Sequence, residues 1–198
     1  MAKIQWKGGA LLGPLPPALI VCGALEHPNV MTAAWTGILN TIPPKTYVSI
    51  RPERYSHGII RERGEFSINL TTASMVYAAD FCGVRSGRDC NKFALTGLTP
   101  LPSSALSCPV LAQSPVSLLC KVSETVPLGS HDMFLADIVA VEVDDQYLDQ
   151  AGKLHLERCE LAAYAHGDYY ALGKRLGSFG YSVRKKPQAR DKKKRRPK

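Results

Sequence analysis

NVMTAAWTGILNTIPPKTYVSIRPERYSHGIIRERGEFSINL (29–70) holds three strand-like runs and one helical run, separated by turn residues. Upstream, ALIVCGAL (18–25) is continuously apolar and meets NVMTAAWTGIL across Glu26-His27-Pro28-Asn29, a connection of turn formers that predicts a hairpin. KTYVSIR (45–51) is the next strand, and its alternation places Tyr47, Ser49 and Arg51 on one face and Thr46, Val48 and Ile50 on the other. Pro52 ends it and opens a helix over PERYSHGIIRER, with Glu53 in the first turn and Gly64 as the stop. EFSINL (65–70) then alternates strictly, with Phe66, Ile68 and Leu70 inward and Glu65, Ser67 and Asn69 opposite.

Downstream, a second short helix is expected over TASMVYAADFCG (72–83), and the uncharged, proline-broken run from Phe93 to Cys120 reads as loop. PVSLLCKVSETV and MFLADIVAVEV, joined across Pro127-Leu128-Gly129-Ser130, form a long antiparallel pair that is apolar on both faces over much of its length. Both faces then need covering, which suits a barrel packed against a partner chain.

The 198 residues suffice for a fold burying roughly 70% of its unfolded surface. With 45% apolar and 21% charged residues, the chain is neither disordered nor collagen-like nor coiled-coil. The net charge of +8 is uneven: residues 184–198 carry ten Lys or Arg against Asp191, leaving 15 basic and 16 acidic residues in 1–183. A domain over 1–183 and a basic, disordered tail over 184–198 follow. Cysteines at 22, 82, 90, 108, 120 and 159 form no C-x-x-C pair, which points away from zinc and dithiol chemistry and toward a reduced, cytoplasmic protein with buried structural thiols. Pro14, Pro16 and Pro17 break the N-terminal apolar run before it reaches bilayer length, and no clear signal cleavage site follows it, so no membrane association is expected. No G-x-G-x-x-G, P-loop, H-E-x-x-H or G-x-S-x-G signature is present.

What the stretch from Asn29 to Leu70 does offer is a small-residue strand (Thr32, Ala33, Ala34, Thr36, Gly37) beside an arginine and hydroxyls at a strand-to-helix turn. Small side chains let a flat ring approach the backbone, while Arg51, Ser49 and Ser56 suit a phosphate. A planar heterocycle with a phosphate tail fits both halves.

From about Leu15 to Val183 the chain resembles the flavin reductase-like family of FMN-binding split barrels, and within it the flavoredoxin subgroup. The resemblance rests on N-V-M-T-A-A-W, S-I-R-P-E-R-Y-S, G-E-F-S-I-N-L, D-F-C-G-V-R-S-G-R-D-C-N-K-F, G-S-H-D-M-F and Y-Y-A-L-G-K-R-L-G-S-F-G-Y, in family order. It implies a mainly β chain with short helices, folded as an antiparallel split β-barrel, with a homodimer binding FMN noncovalently near the subunit interface. It further implies that Asn29, Trp35 and the strand Met31, Thr32, Ala33, Ala34 lie at the ring, with Asn69 and Leu70 on the strand beside it. Ser49, Ile50, Arg51 and Ser56 match the phosphate end, and Ser86, Gly87 and Lys92 match a loop that adds phosphate or ring contacts. His131 matches a histidine near the flavin, the one candidate for a catalytic role, and Tyr164 matches an aromatic beside the ring. Tyr169 and Tyr170 read as packing. No metal is implied. Read alone, Trp35 is a core aromatic, Arg51 a solvated strand-end cation and Asn69 a turn or cap residue.

The function implied is oxidoreduction. Electrons pass from NAD(P)H or a redox partner, through FMN, to flavin, ferric complexes or an acceptor protein. The alternative is a non-enzymatic electron carrier with tightly bound FMN. The tail admits a nucleic-acid reading, but no aromatic lies within 184–198 to stack on bases.

Overall fold

A computed structural model describes residues 1–184; the basic run 185–198, and with it the expected disordered tail, lies outside the described residues. The strands are β1 (Ala18–Cys22), β2 (Asn29–Ala33), β3 (Thr36–Thr41), β4 (Pro44–Ile50), β5 (Glu65–Asn69), two short strands β6 (Pro100–Leu101) and β7 (Val110–Leu111), and the long β8 (Val116–Pro127) and β9 (Asp132–Val143). A small hairpin, β10 (Ala162–Ala165) and β11 (Asp168–Ala171), follows. Helices α1 (Tyr55–Arg63), α2 (Val76–Val84) and α3 (Lys92–Thr96) decorate the sheet.

Seven strands form one antiparallel sheet in the order β2-β1-β5-β8-β9-β4-β3. Consecutive β2 and β3 therefore sit at its opposite edges, although only Ala34 and Trp35 separate them. The sheet must curl until its edges meet. At the seam the Ser49 amide of β4 donates to the Trp35 carbonyl at 2.9 Å, which carries the β3–β4 ladder one rung past Thr36 and Val48, up to the point where the chain changes edges. The expected single strand over 29–39 is thus two strands, because the chain changes edges at Trp35.

The curled sheet encloses one apolar core, with Ile20, Ile50, Phe66 and Phe134 fully buried inside it. A second core lies outside the curl, where Leu19, Val21 and Val30 meet Ala79 and Cys82 of α2 and Leu111 of β7. β1 is consequently buried on both faces. In β4 the expected alternation holds, with Thr46, Val48 and Ile50 buried and Tyr47 and Ser49 half-buried. α1 stops at Gly64 in the left-handed conformation (φ 68°), where glycine has no Cβ penalty. It begins only at Tyr55, so Glu53 precedes its first turn.

β5 alternates as expected, with Phe66 and Ile68 in the inner core and Ser67 and Asn69 opposite, but the opposite face is buried as well, and Leu70 is half-buried beyond the strand. The run Phe93–Cys120 is not only loop, since it contains most of α3, the β6–β7 pair and the start of β8. Of the long hairpin, residues 116–120 are buried on both faces apart from half-buried Leu118, whereas Val139, Val141 and Val143 of β9 are 43%, 53% and 37% exposed. All six cysteines are free. Among the described residues no helix is long and apolar enough to cross a membrane.

Candidate functional site

The seam opens into a cavity of about 500 Å³. Its floor is the outer edge of β2, which pairs only with β1 and so leaves backbone groups of Met31 to Ala33 unclaimed by the sheet. Trp35, 38% exposed, forms one wall with Ser49, Ile50 and Arg51 at the end of β4. The C-terminal half of α2 and the β10–β11 hairpin supply the other walls. His131, at the start of β9, faces the same space, with Nδ1 2.9 Å from Ser130 Oγ. Its position is fixed from behind: the adjoining Asp132 meets buried His57 of α1 at 2.8 Å, and the His57 ring stands edge-on to Phe134 at 5.1 Å.

A second cavity of about 320 Å³ adjoins the first through Met31, Arg54 and Val84. Here Lys92 is the central feature. It is 3% exposed, and Nζ donates to the carbonyls of Val30 (2.8 Å) and Cys82 (3.0 Å). An ammonium has three donors, so one is left over. Among the described residues no carboxylate pairs with it. Burial pushes its pKa below the usual lysine value, as expected for a cation stripped of water without a counter-ion.

Around Lys92 the chain is drawn tight. Asn29 Nδ2 donates to Ser56 Oγ at 2.7 Å, and the other side of the Asn29 amide presses on Gly87. A Cβ at Gly87 would stand 2.0 Å from Asn29 Oδ1 and 3.1 Å from Tyr55, so only glycine lets the 85–91 loop lie this close. Arg54 is held by the Gly83 carbonyl at the end of α2 (2.7 Å). Arg85 and Arg88 also line the cavity, against Glu53 and Asp89. The local excess of positive charge suits an anion.

The structure brings the sequence candidates together in two groups. Met31, Thr32, Ala33, Ala34, Trp35, Ser49, Ile50, Arg51, His131 and Tyr164 line the seam cavity. Asn29, Ser56, Ser86, Gly87 and Lys92 line the adjoining one. Asn69 and Leu70 line neither. The Asn69 amide is consumed by the fold, donating to the Leu19 carbonyl and Ser67 Oγ and accepting from the Leu111 amide and Ser117 Oγ. Arg51 is exposed and 3.7 Å from Glu53, a loose surface pair.

Sequence reasoning missed Asp80, Arg54 and the part played by Tyr169. Tyr169 lines the cavity; its hydroxyl donates to Asp80 Oδ1 at 3.2 Å and its ring centroid lies 5.5 Å from that of Tyr164. Burial, reinforced by the Asp80 charge, pushes the phenol up to about 12. The dense aromatics after residue 163 were the available signal; nothing in the local pattern around Asp80 marked it.

Residues 13–173 match the model of the flavin reductase-like domain family. An uncharacterised protein of Archaeoglobus fulgidus is 35% identical over 138 residues, covering 70% of this chain and 77% of its own. An NADPH-flavin oxidoreductase of Streptomyces viridifaciens is 29% identical over 67% of this chain and 66% of its own. Among solved structures, the flavoredoxin of Desulfovibrio vulgaris (Miyazaki F) superposes with a TM-score of 0.84 at 30% identity, covering 92% of this chain and all of that one. The sheet that curls at Trp35 is thus a split barrel in its connectivity as well as its outline, and the chain belongs to the flavin reductase-like family.

Proposed function

We propose that this protein holds FMN noncovalently, with the isoalloxazine ring in the seam cavity and the phosphate at Lys92, and passes electrons from NAD(P)H to flavin, ferric complexes or an acceptor protein. The observation that carries the reading is Lys92: a buried cation with a spare donor and, among the described residues, no paired carboxylate, in the cavity that adjoins the one walled by Trp35. Lys92 supplies a point charge and the 85–91 loop supplies close backbone approach at Gly87. The free edge of β2 presents hydrogen-bonding groups along the ring, and small Ala33 and Ala34 leave it room. That His131 lines the same cavity supports a role in donating to the ring or meeting a substrate. When bound, the flavin supplies hydride acceptance and one- or two-electron release, so this chain needs no general base of its own.

The exposed valines of β9, Val139, Val141 and Val143, support a homodimer. The six free thiols support a reducing compartment, the cytoplasm. Similarity to a flavoredoxin favours a second reading, an electron carrier reduced only by a protein partner. Anaerobic mixing of the FMN-loaded protein with NADH and with NADPH separates the two. Rapid loss of flavin absorbance with either nucleotide is the expected result. Reduction by dithionite but by neither nucleotide favours the carrier, and no flavin binding at all removes both.

A further inference from the structure

The N-terminal segment ahead of β1 is an arm laid against the β10–β11 hairpin. Its root is fixed by two bonds: the Leu15 amide donates to the Tyr164 carbonyl at 2.8 Å, and the Tyr164 amide donates to the Leu15 carbonyl at 2.7 Å. Just before that root Gly13 runs so close to β10 that a Cβ there would stand 3.9 Å from that of Ala165. Arm and hairpin enclose a cavity of about 480 Å³, within the range of small-molecule sites, about 300–1,000 Å³. It adjoins the seam cavity, since Trp35, Tyr164 and Gly167 line both.

The chemistry of this cavity is unlike that of the Lys92 cavity. Trp6, Leu11 and Leu12 of the arm line it while remaining 70%, 55% and 83% exposed, so they form an apolar wall that no part of the fold covers among the described residues. Both tryptophans of the chain stand in it. Among the described residues no carboxylate, ammonium or guanidinium lines it, whereas the Lys92 cavity collects arginines. An anion taken in here would lose water and gain no partner. The polar side chains present are the two indoles, whose N–H groups only donate, with the Tyr164 hydroxyl and the His166 imidazole. His166 and Gly167 form the hairpin turn with φ of 53° and 101°, the positive pair that suits the twist of a two-residue turn and fixes where His166 stands. A ligand that fits is flat, apolar on its faces, uncharged, and an acceptor of hydrogen bonds at its edge. A quinone has those four properties.

We propose that the arm cavity is a site for an uncharged quinone, held between the arm and the Trp35–Tyr164 wall as an electron acceptor of the flavin. The acceptor role rests on the flavin reading above; the binding site does not. In the overall reaction the quinone gains two electrons and two protons, and both C=O groups become C–OH. NAD(P)H loses a hydride by way of the flavin and becomes NAD(P)⁺, and the second proton comes from water.

The probe is 2,3-dimethyl-1,4-naphthoquinone, whose substituted ring carbons do not add to the free thiols; its comparator carries a propionate in place of one methyl. Both are titrated by tryptophan fluorescence into the full chain freed of flavin, and into the variant Leu12→Glu, which sets a carboxylate on an exposed wall. The expected result is saturable quenching by the neutral quinone, at least tenfold weaker for the propionate and at least fivefold weaker in L12E, with FMN affinity changed less than twofold. Quenching that never saturates, equal affinity for the two quinones, or no loss in L12E overturns the site. Displacement of the quinone by FMN also overturns it, by putting the quinone in the seam cavity. So does quinone binding seen only on dilution of a sedimenting dimer, because a second copy then covers the arm. The acceptor role is read by mixing the photoreduced, FMN-loaded chain with the quinone without oxygen. Return of flavin absorbance at a rate that saturates, and that is at least fivefold slower in L12E at low quinone, supports it; a rate linear in quinone and equal in both chains overturns it. If FMN does not bind, the flavin reading and the acceptor role fail, while quenching that saturates and weakens in L12E still sustains the site. Should L12E melt early, Trp6→Ala removes another exposed part of the wall, leaves Trp35 as the emitter, and carries the same expected fivefold loss.

Discussion

At the scale of single residues, the site depends on a lysine kept dry and a glycine kept bare. Replacing Lys92 by Met removes a charge-assisted hydrogen bond worth about 1.5–3 kcal/mol, so FMN binding weakens roughly tenfold to hundredfold, while riboflavin, which lacks the phosphate, is unaffected. The same change strips donors from the Val30 and Cys82 carbonyls, and a lower melting temperature accompanies it. Because burial lowers the Lys92 pKa and a phosphate raises it again, binding takes up a proton once the free protein has begun to lose it. FMN affinity therefore falls as pH rises on the alkaline side, by up to about tenfold per pH unit, and riboflavin affinity does not follow; equal slopes for the two ligands would sink the assignment. Gly87→Ala forces the loop off Asn29, with a stability loss of about 1–3 kcal/mol and weaker FMN binding, read by thermal melting and fluorescence titration. Lys92 and Gly87 were legible only through their resemblance to a known loop. Locally they are a helix-start lysine and a loop glycine, and what sets them apart is burial against Val30 and Asn29, which are distant in sequence.

Elements decide which residues reach the cavity. Period-two reading served β4, where one face is core and the other is not. In β5 it separated Phe66 and Ile68 from Ser67 and Asn69 correctly, but it could not show that the second face is buried too, because a strand covered on both sides has no solvent face. Asn69 is buried because β1, β7 and β8 all converge on its amide, a long-range arrangement that leaves no periodic trace. The β10–β11 hairpin is tied to α2 across the cavity through Tyr169 and Asp80. Tyr169→Phe cuts that tie and keeps the ring, so the expected loss is about 0.5–1.5 kcal/mol of stability, with a few-fold weaker FMN binding read by fluorescence. Since the folded phenol titrates near 12 against an ordinary value of 10.0, the tie is intact below pH 10 and is lost as pH climbs toward 12. Alkaline melting curves of wild type and Y169F should converge in that window; a constant gap between them would mean that the hydroxyl is not what holds the hairpin.

For the whole molecule, the strands were readable one by one, but their order was not. Ala34 and Trp35 look like the middle of a continuous run, and only closure of the sheet shows them to be the seam where the chain leaves one edge for the other. Closure still leaves Val139, Val141 and Val143 of β9 exposed: Val139 is the bulged residue opposite Leu119 and Cys120, and Val141 and Val143 pair with Leu118 and Val116 at the end of the sheet. A neighbouring copy packed on these valines would remove apolar area from water at roughly 25 cal/mol per Å². Charge is depleted at the centre of such interfaces because each ion desolvated there costs several kcal/mol. Val141→Lys puts one ammonium from each copy into the proposed contact and, at 53% exposure in the single chain, leaves the barrel core untouched. The dissociation constant of the dimer should rise at least tenfold, with sedimentation shifting from dimer to monomer at micromolar concentration and the monomer's circular dichroism unchanged. A wild-type chain that sediments as a monomer, or a V141K chain that stays dimeric, would place the subunit contact elsewhere or nowhere and leave these valines to another partner.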